Sequence, residues 1–299
     1  MGSPLLVIEI GIDPEIRDFG GLLLTWHGVF TAVGIALGVW AALIMARRLG
    51  FVDDDVYSGA LIAIPTGIVG ARALFVIERW NTSTVDTVGD IFRINEGGIS
   101  IWGAILGGLI GALAYAWFRK LPVLRALDVA TFGGILGMGI GRIGDLINGE
   151  HFAEASSLPW AVRYTSLDSP SVLGHPECGL GRVFGVPVSE LCAQHPAVGY
   201  EMIGDLLIFG LLILAFRYVR IDGVAGFGAL LLYSLMRFGV SELRLDSREI
   251  IAGLTTPQVT SLFIIVISGV GLAYALRRGR SAAGRDASGA VAEAAAPSG

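Results

Sequence analysis

The sequence predicts an all-α integral membrane protein of about seven transmembrane helices, with a small extracytoplasmic domain between helices four and five. Three observations predict it. Of the 299 residues, 54% are hydrophobic and only 16% are charged, against about 25% charged in ordinary soluble domains. Apolar stretches of the roughly 20 residues needed to cross a bilayer follow one another nearly end to end. Basic residues collect in every second connection between those stretches.

Taken in order, the candidate spans are about Leu22–Ala46, Val56–Ile77, Gly98–Phe118, Leu127–Ile147, Met202–Val219, Ala225–Val240 and Pro257–Leu276. The sixth is short and carries charge at its lower end. Asn148–Tyr200 holds five of the eleven prolines and reads as a small, partly extended insertion outside the membrane. Residues 1–280 form one membrane domain that includes this insertion. From Ser281 to Gly299 the chain is rich in Ala, Gly and Ser, and a disordered tail is expected there.

Cations are concentrated in the cytoplasmic loops of membrane proteins. Arg47 and Arg48, then Arg119, Lys120 and Arg125, then Arg217 and Arg220, then Arg277, Arg278, Arg280 and Arg285 occupy alternate connections. With an odd number of spans, this puts the N-terminus and the Asn148–Tyr200 insertion outside and the C-terminus in the cytoplasm. The first twenty residues carry Glu9, Asp13, Glu15 and Asp18 against Arg17, unlike the basic start and apolar core of a cleavable signal. A net charge of −5 without a basic stripe argues against a nucleic-acid partner. Cys178 and Cys192 both fall in the insertion. Outside the cell a disulfide between them is possible, and two unpaired small residues is the other reading.

Glycines recur at four-residue spacing: Gly34 and Gly38; Gly103, Gly107 and Gly111; Gly133, Gly137 and Gly141. Small residues at this spacing let helix backbones approach closely within a bilayer, a packing signal that says nothing about chemistry.

Chemistry shows in the ionisable residues, which are costly inside a span and face a cavity or a partner. Arg72 falls in the second span, Asp128, Arg142 and Asp145 in the fourth, Asp205 in the fifth, and Arg237 in the sixth with Glu242 at its end. Arg142 and Asp145 are three apart and share a helical face, which Asn148 continues at the outer end. They read either as a self-neutralising packing pair or, given the flanking glycines, as the wall of a site. Tyr233, Arg237, Ser241 and Arg244 form a polar stripe in the sixth span; Arg244 also reads as an interfacial residue reaching for water, whereas Arg237 lies deeper. The fixed fork of arginine suits phosphate and stays charged when buried. Arginines in a membrane cavity near the outer leaflet point to an anionic ligand, and a phospholipid headgroup is the anion available at that depth.

Gly141–Glu150, read as G-R-I-G-D-L-I-N-G-E, resembles the G-R-x-G-N-x-x-N-x-E motif of the prolipoprotein diacylglyceryl transferases. Four further landmarks fall in that family's order: Trp26-His27-Gly28; Gly97-Gly98-Ile99-Ser100-Ile101-Trp102-Gly103; His195-Pro196 with Tyr200-Glu201; and Tyr233 with Arg237. The resemblance covers roughly Trp26 to Arg244. It implies a multi-pass enzyme of the bacterial cytoplasmic membrane, active at the outer face without cofactor or metal. It would transfer the diacylglyceryl group of phosphatidylglycerol to the lipobox cysteine of a preprolipoprotein signal peptide, forming a thioether and releasing glycerol phosphate. Arg142 and Arg237 match the family's functional arginines and would stabilise the charge developing on the phosphate. Tyr233, Asp145, Asn148, Glu150, Trp102, His195, Tyr200 and Arg244 are the accompanying substrate-binding candidates.

Four positions depart from the family pattern. Trp102 replaces the histidine after the Gly-Gly-x-Ser motif, a candidate general base. His27 replaces a tyrosine, Asp145 an asparagine and Ala153 a glycine. His27 is therefore a candidate replacement base, with a hydrogen-bonded packing role as the other reading. Alternatives to the transferase are a divergent paralogue that binds phosphatidylglycerol or modifies another acceptor, and a membrane transporter. The absence of an internal hydropathy repeat speaks against a transporter.

Overall fold

A computed structural model of the chain describes residues 7–18, 23–80, 87–92, 98, 100–174, 182–183, 186–187, 192–219, 221–247 and 249–294. Seven of its helices are long and apolar enough to cross a membrane. They are α1 (Trp26–Arg48), α2 (Asp53–Arg79), α3 (Ile101–Phe118), α4 (Val123–Asn148), α6 (Ala197–Tyr218), α7 (Val224–Ser241) and α8 (Thr256–Ala294), with a short α5 (Pro170–Gly174) between α4 and α6. Leu61, Val69, Ile77, Ile110, Leu207 and Val266 stay exposed around the bundle, an apolar surface that hydrocarbon solvates and water does not.

The helix limits differ from the sequence reading at the ends, where caps rather than hydropathy decide. Thr25 caps α1, its Oγ1 accepting from the Gly28 amide at 3.1 Å, so the helix begins at Trp26 rather than near Leu22. Helix α6 begins at Ala197, five residues before the expected Met202, because His195-Pro196 fixes its entry and Tyr200 N bonds to the Pro196 carbonyl at 2.9 Å. That shift brings Glu201 inside a helix. Helix α8 continues to Ala294, past Ser281 where a disordered tail was expected; the alanine-rich composition favours helix once a preceding turn is formed. Residues 295–299 lie outside the described residues.

The glycine stripes do what their spacing predicts. A Cβ on Gly34 would meet the Gly137 carbonyl at 2.5 Å, and one on Gly38 the Gly133 carbonyl at 2.7 Å, so α1 and α4 touch backbone to backbone. A Cβ on Gly103 would meet the Gly70 carbonyl at 2.3 Å, which joins α2 to α3 in the same way. Arg72 is buried for a structural reason: its guanidinium donates to the carbonyls of Ile91 (3.0 Å) and Gly98 (2.8 Å) and fixes the approach to α3. Asp128 is likewise structural, accepting from the amides of Gly223 and Gly226 at 2.7 Å each, at the start of α7.

One end of the bundle is closed by short strands. Numbered in chain order, β1 (Ile8–Ile10) pairs in parallel with β4 (Val162–Tyr164), and β2 (Glu15–Asp18) with β3 (Leu23–Thr25) in antiparallel fashion. The segment after α4 caps that helix. Gly149 takes a left-handed conformation (φ 71°), which glycine adopts without penalty, and Ser169 and Ser171 donate to the carbonyls of Asn148 and Gly149 at 3.0 and 2.6 Å. Isolated bridges join Ala153 to Arg244 and Val162 to Gln194. This region therefore holds the ends of α4, α6 and α7 in one arrangement. Cys192 is disulfide-bonded, and Cys178, the chain's other cysteine, lies outside the described residues.

Candidate active site

Where α4, α6 and α7 meet at the closed end, three arginines converge on one carboxylate. Glu201, only 1% exposed, sits near the start of α6, just past its first turn. Arg142 of α4 reaches its Oε2 at 2.7 Å through Nη2. Arg237 of α7 pairs with its Oε1, and Arg244, just past α7, approaches the same oxygen at 3.2 Å. Arg142 turns its other terminal nitrogen to Asp145, Nη1 to Oδ2, at 2.8 Å. The i, i+3 pair expected from the sequence is formed, and it is part of a larger network.

The network extends to both sides. Asp145 binds Nδ1 of His27 through its other oxygen, Oδ1. The neighbouring Glu150 lies 3.6 Å from the same ring nitrogen and accepts from Asn148 Nδ2 at 3.0 Å. Gly144 makes this contact possible, because a Cβ there would fall 2.7 Å from the His27 Cα. On the opposite side, Arg244 holds Asp246 through Nε and Nη2 at 3.0 and 2.7 Å, and His151 lies 2.8 Å from Asp246. Burial pushes the Asp246 carboxyl up, but hydrogen bonds from His151 and Arg244 outweigh it and hold the group well below the usual carboxylate range. Burial and the adjoining Arg244 charge hold the His151 imidazole below its ordinary value.

Trp102 closes the floor, 2% exposed, with its ring edge-on to Tyr233 at 5.4 Å between centroids. Trp102 Nε1 and Arg237 Nε are buried donors without an acceptor among the described residues. Such donors are normally satisfied in a folded protein. Asp205, one turn beyond Glu201 and fully buried, has no hydrogen-bond partner for either oxygen among the described residues. His27, Asp145 and Glu150 bring one ligand atom each within 4.8 Å of one another, a spacing that a cation tolerates. Arg142 already sits on Asp145 and opposes a second positive charge there.

Of the residues singled out from sequence, Arg142, Arg237, His27, Asp145, Asn148, Glu150, Tyr233, Trp102 and Arg244 come together. His195 and Tyr200 do not join the arginines: His195 Nδ1 lies 3.2 Å from the Tyr200 hydroxyl, which accepts from Trp160 Nε1 at 2.9 Å. Arg244 corrects one reading. It is buried and paired, not reaching for water, because the chain leaves the helix after Ser241 and the bridge to Ala153 draws it inward. Glu201, His151 and Asp246 were not among the candidates. Glu201 had a signal, since it stands in the Tyr200-Glu201 landmark, but a span drawn from Met202 leaves it outside the membrane and it was not taken as a site residue. His151 and Asp246 lie in irregular polar connections with no period to expose them.

The prolipoprotein diacylglyceryl transferase family matches residues 14–274. Among proteins named phosphatidylglycerol–prolipoprotein diacylglyceryl transferase, that of Clostridioides difficile is 33% identical over 250 residues, covering 84% of this chain and 90% of its own. That of Symbiobacterium thermophilum is 33% identical over 270 residues, covering 89% and 94%. That of Corynebacterium efficiens is 30% identical over 269 residues, covering 88% and 81%. With the spans, the motif and the arginine cluster in place, the chain belongs to the prolipoprotein diacylglyceryl transferase family.

Proposed function

We propose that this chain transfers the diacylglyceryl group of phosphatidylglycerol to the lipobox cysteine thiol of a preprolipoprotein signal peptide, releasing glycerol phosphate. The observation that carries the reading is the shared carboxylate: guanidiniums from α4 and α7 already hold one oxyanion between them. A phosphodiester of the lipid presents oxyanions of the same kind. Arg142 and Arg237 take the phosphate, with Trp102 Nε1 and Arg237 Nε available for its oxygens. Because these donors are buried and fixed before substrate arrives, they act on the charge that develops as the carbon–oxygen bond breaks. Tyr233, Asn148, Glu150 and Arg244 hold the guanidiniums and the lipid in place, and His195 and Tyr200 shape the entrance from the insertion. The arginine-rich connections support an N-terminus and insertion outside the cytoplasmic membrane, with the C-terminus within.

The test uses membranes containing phosphatidylglycerol and a lipobox peptide, with glycerol phosphate release as the readout. Arg142→Ala and Arg237→Ala each lower transfer by about 10² to 10³ while the protein still inserts. Lysine rescues poorly, since a point charge does not replace a bidentate fork. Near-native transfer by both alanine variants would falsify the clamp. Reporter fusions after Arg280 and near Ser169 place those points in the cytoplasm and outside, and the reverse pattern overturns the orientation. A second reading, a phosphatidylglycerol-binding paralogue, is favoured by one feature: Trp102 fills the floor of the site with no acid–base group of its own. Lipid retention without any glycerol phosphate release from the native chain selects it.

A further inference from the structure

His27 and Asp145 stand beside the arginine clamp, and phosphate binding alone does not account for them. His27 lies in the first turn of α1 with its side chain 33% exposed, whereas a packing histidine would be enclosed. Its Nδ1 is taken by Asp145 Oδ1, and Nε2 has no partner among the described residues. A carboxylate on Nδ1 fixes the tautomer with its proton there, which leaves the Nε2 lone pair free to accept. The charged groups facing the ring are Asp145, Glu150 and Arg142. Asp145 in turn is held by Arg142, which binds it through one nitrogen and Glu201 through the other. The imidazole and the phosphate clamp are therefore two ends of one chain of contacts.

We propose that His27 accepts the proton of the attacking thiol and that Asp145 is the residue that positions it, joined to the lipid site through Arg142. The proposal rests on the transferase reading above. In the step, Nε2 takes the proton from the cysteine Sγ, and the sulfur electron pair forms a bond to the terminal carbon of the glyceryl group. The bond from that carbon to the phosphate oxygen breaks, and its electrons leave on that oxygen. The imidazolium then returns the proton to the departing phosphate monoester, so the products are the thioether, glycerol phosphate and a neutral base. A free thiol is only a few per cent ionised at neutral pH, so a positioned acceptor matters most for this half of the reaction.

The experiment compares the native chain, His27→Gln, Asp145→Asn and Arg142→Ala in phosphatidylglycerol vesicles, measuring lipid retention and transfer to a lipobox peptide across pH. Retention of lipid by His27→Gln and Asp145→Asn shows that they are folded. His27→Gln lowers transfer by about 10² to 10⁴ with retention unchanged, and the acidic limb of the rate profile disappears. Asp145→Asn keeps that limb but moves it to lower pH, because the amide no longer stabilises the imidazolium. A selenocysteine acceptor, whose selenol is ionised at neutral pH, needs no base and restores His27→Gln to within about tenfold of native, which a merely structural histidine would not allow. Arg142→Ala instead loses lipid retention. The proposal fails alone if His27→Gln transfers at the native rate, sheds its lipid, or gains nothing from selenocysteine. It also fails if EDTA abolishes native transfer and a divalent metal restores it, since His27 would then be a ligand. No transfer by the native chain defeats the transferase reading and this proposal with it.

Discussion

Replacing Glu201 by glutamine tests the centre of the network directly. The substitution keeps size and shape but removes the negative charge that three guanidiniums share. Arg142 and Asp145 remain paired at 2.8 Å, and Arg244 keeps Asp246 at 2.7 Å, whereas no other described carboxylate is paired with Arg237. The variant thus leaves one buried cation without compensation, and breaking a buried pair by removing one partner costs about 3 to 5 kcal/mol. At about 2 to 4 °C per kcal/mol for a chain of this order, the midpoint of thermal unfolding in detergent falls by about 6 to 20 °C. Phosphatidylglycerol brings a negative charge to the same guanidiniums, so added lipid raises the midpoint of Glu201→Gln more than that of the native chain. Unfolding is followed by thiol-independent fluorescence with and without lipid. A midpoint within about 1 °C of native, or an equal lipid effect in both proteins, refutes the view that Glu201 occupies the anion position.

Three further outcomes follow from the geometry. Because His151 is held below its ordinary value, the unfolded chain binds its proton more readily, so stability falls as pH drops below about 6.5. Asp246, held low, adds a second loss as pH falls below about 4; unfolding midpoints from pH 7 down to about 2 check both, and His151→Gln removes the first. Gly144→Ala places a methyl 2.7 Å from the His27 Cα and the Trp26 carbonyl, so α1 must move away; overpacking of this kind costs about 1 to 3 kcal/mol, and transfer drops further than stability explains. Cys192→Ser removes the disulfide and lowers stability by about 3 kcal/mol, as for a loop of about 15 residues; mass spectrometry of non-reduced protein finds Cys178 joined to Cys192.

By itself the sequence determined the number and order of the spans, the helix faces whose glycines allow close approach, and the face that carries Arg142 and Asp145, while which helices those glycine faces join was left to the packing. Each depends on a local quantity: the length of an apolar run, a four-residue glycine spacing, a three-residue step along one helix. It also marked Arg237 as too deep to be interfacial. The tertiary structure alone decided what those charges meet. Arg142, Glu201 and Arg237 are far apart in sequence on three helices, and only packing makes one carboxylate their common partner. Packing also sorted intramembrane charges that look alike in the sequence, since Arg72 and Asp128 satisfy backbone groups while Arg142 and Arg237 share the Glu201 carboxylate. His27 and Asp145 are 118 residues apart. Whether an isolated histidine at a helix start is a packing residue or a poised base depends on which side chain reaches its ring, and that is set by the close approach at Gly144.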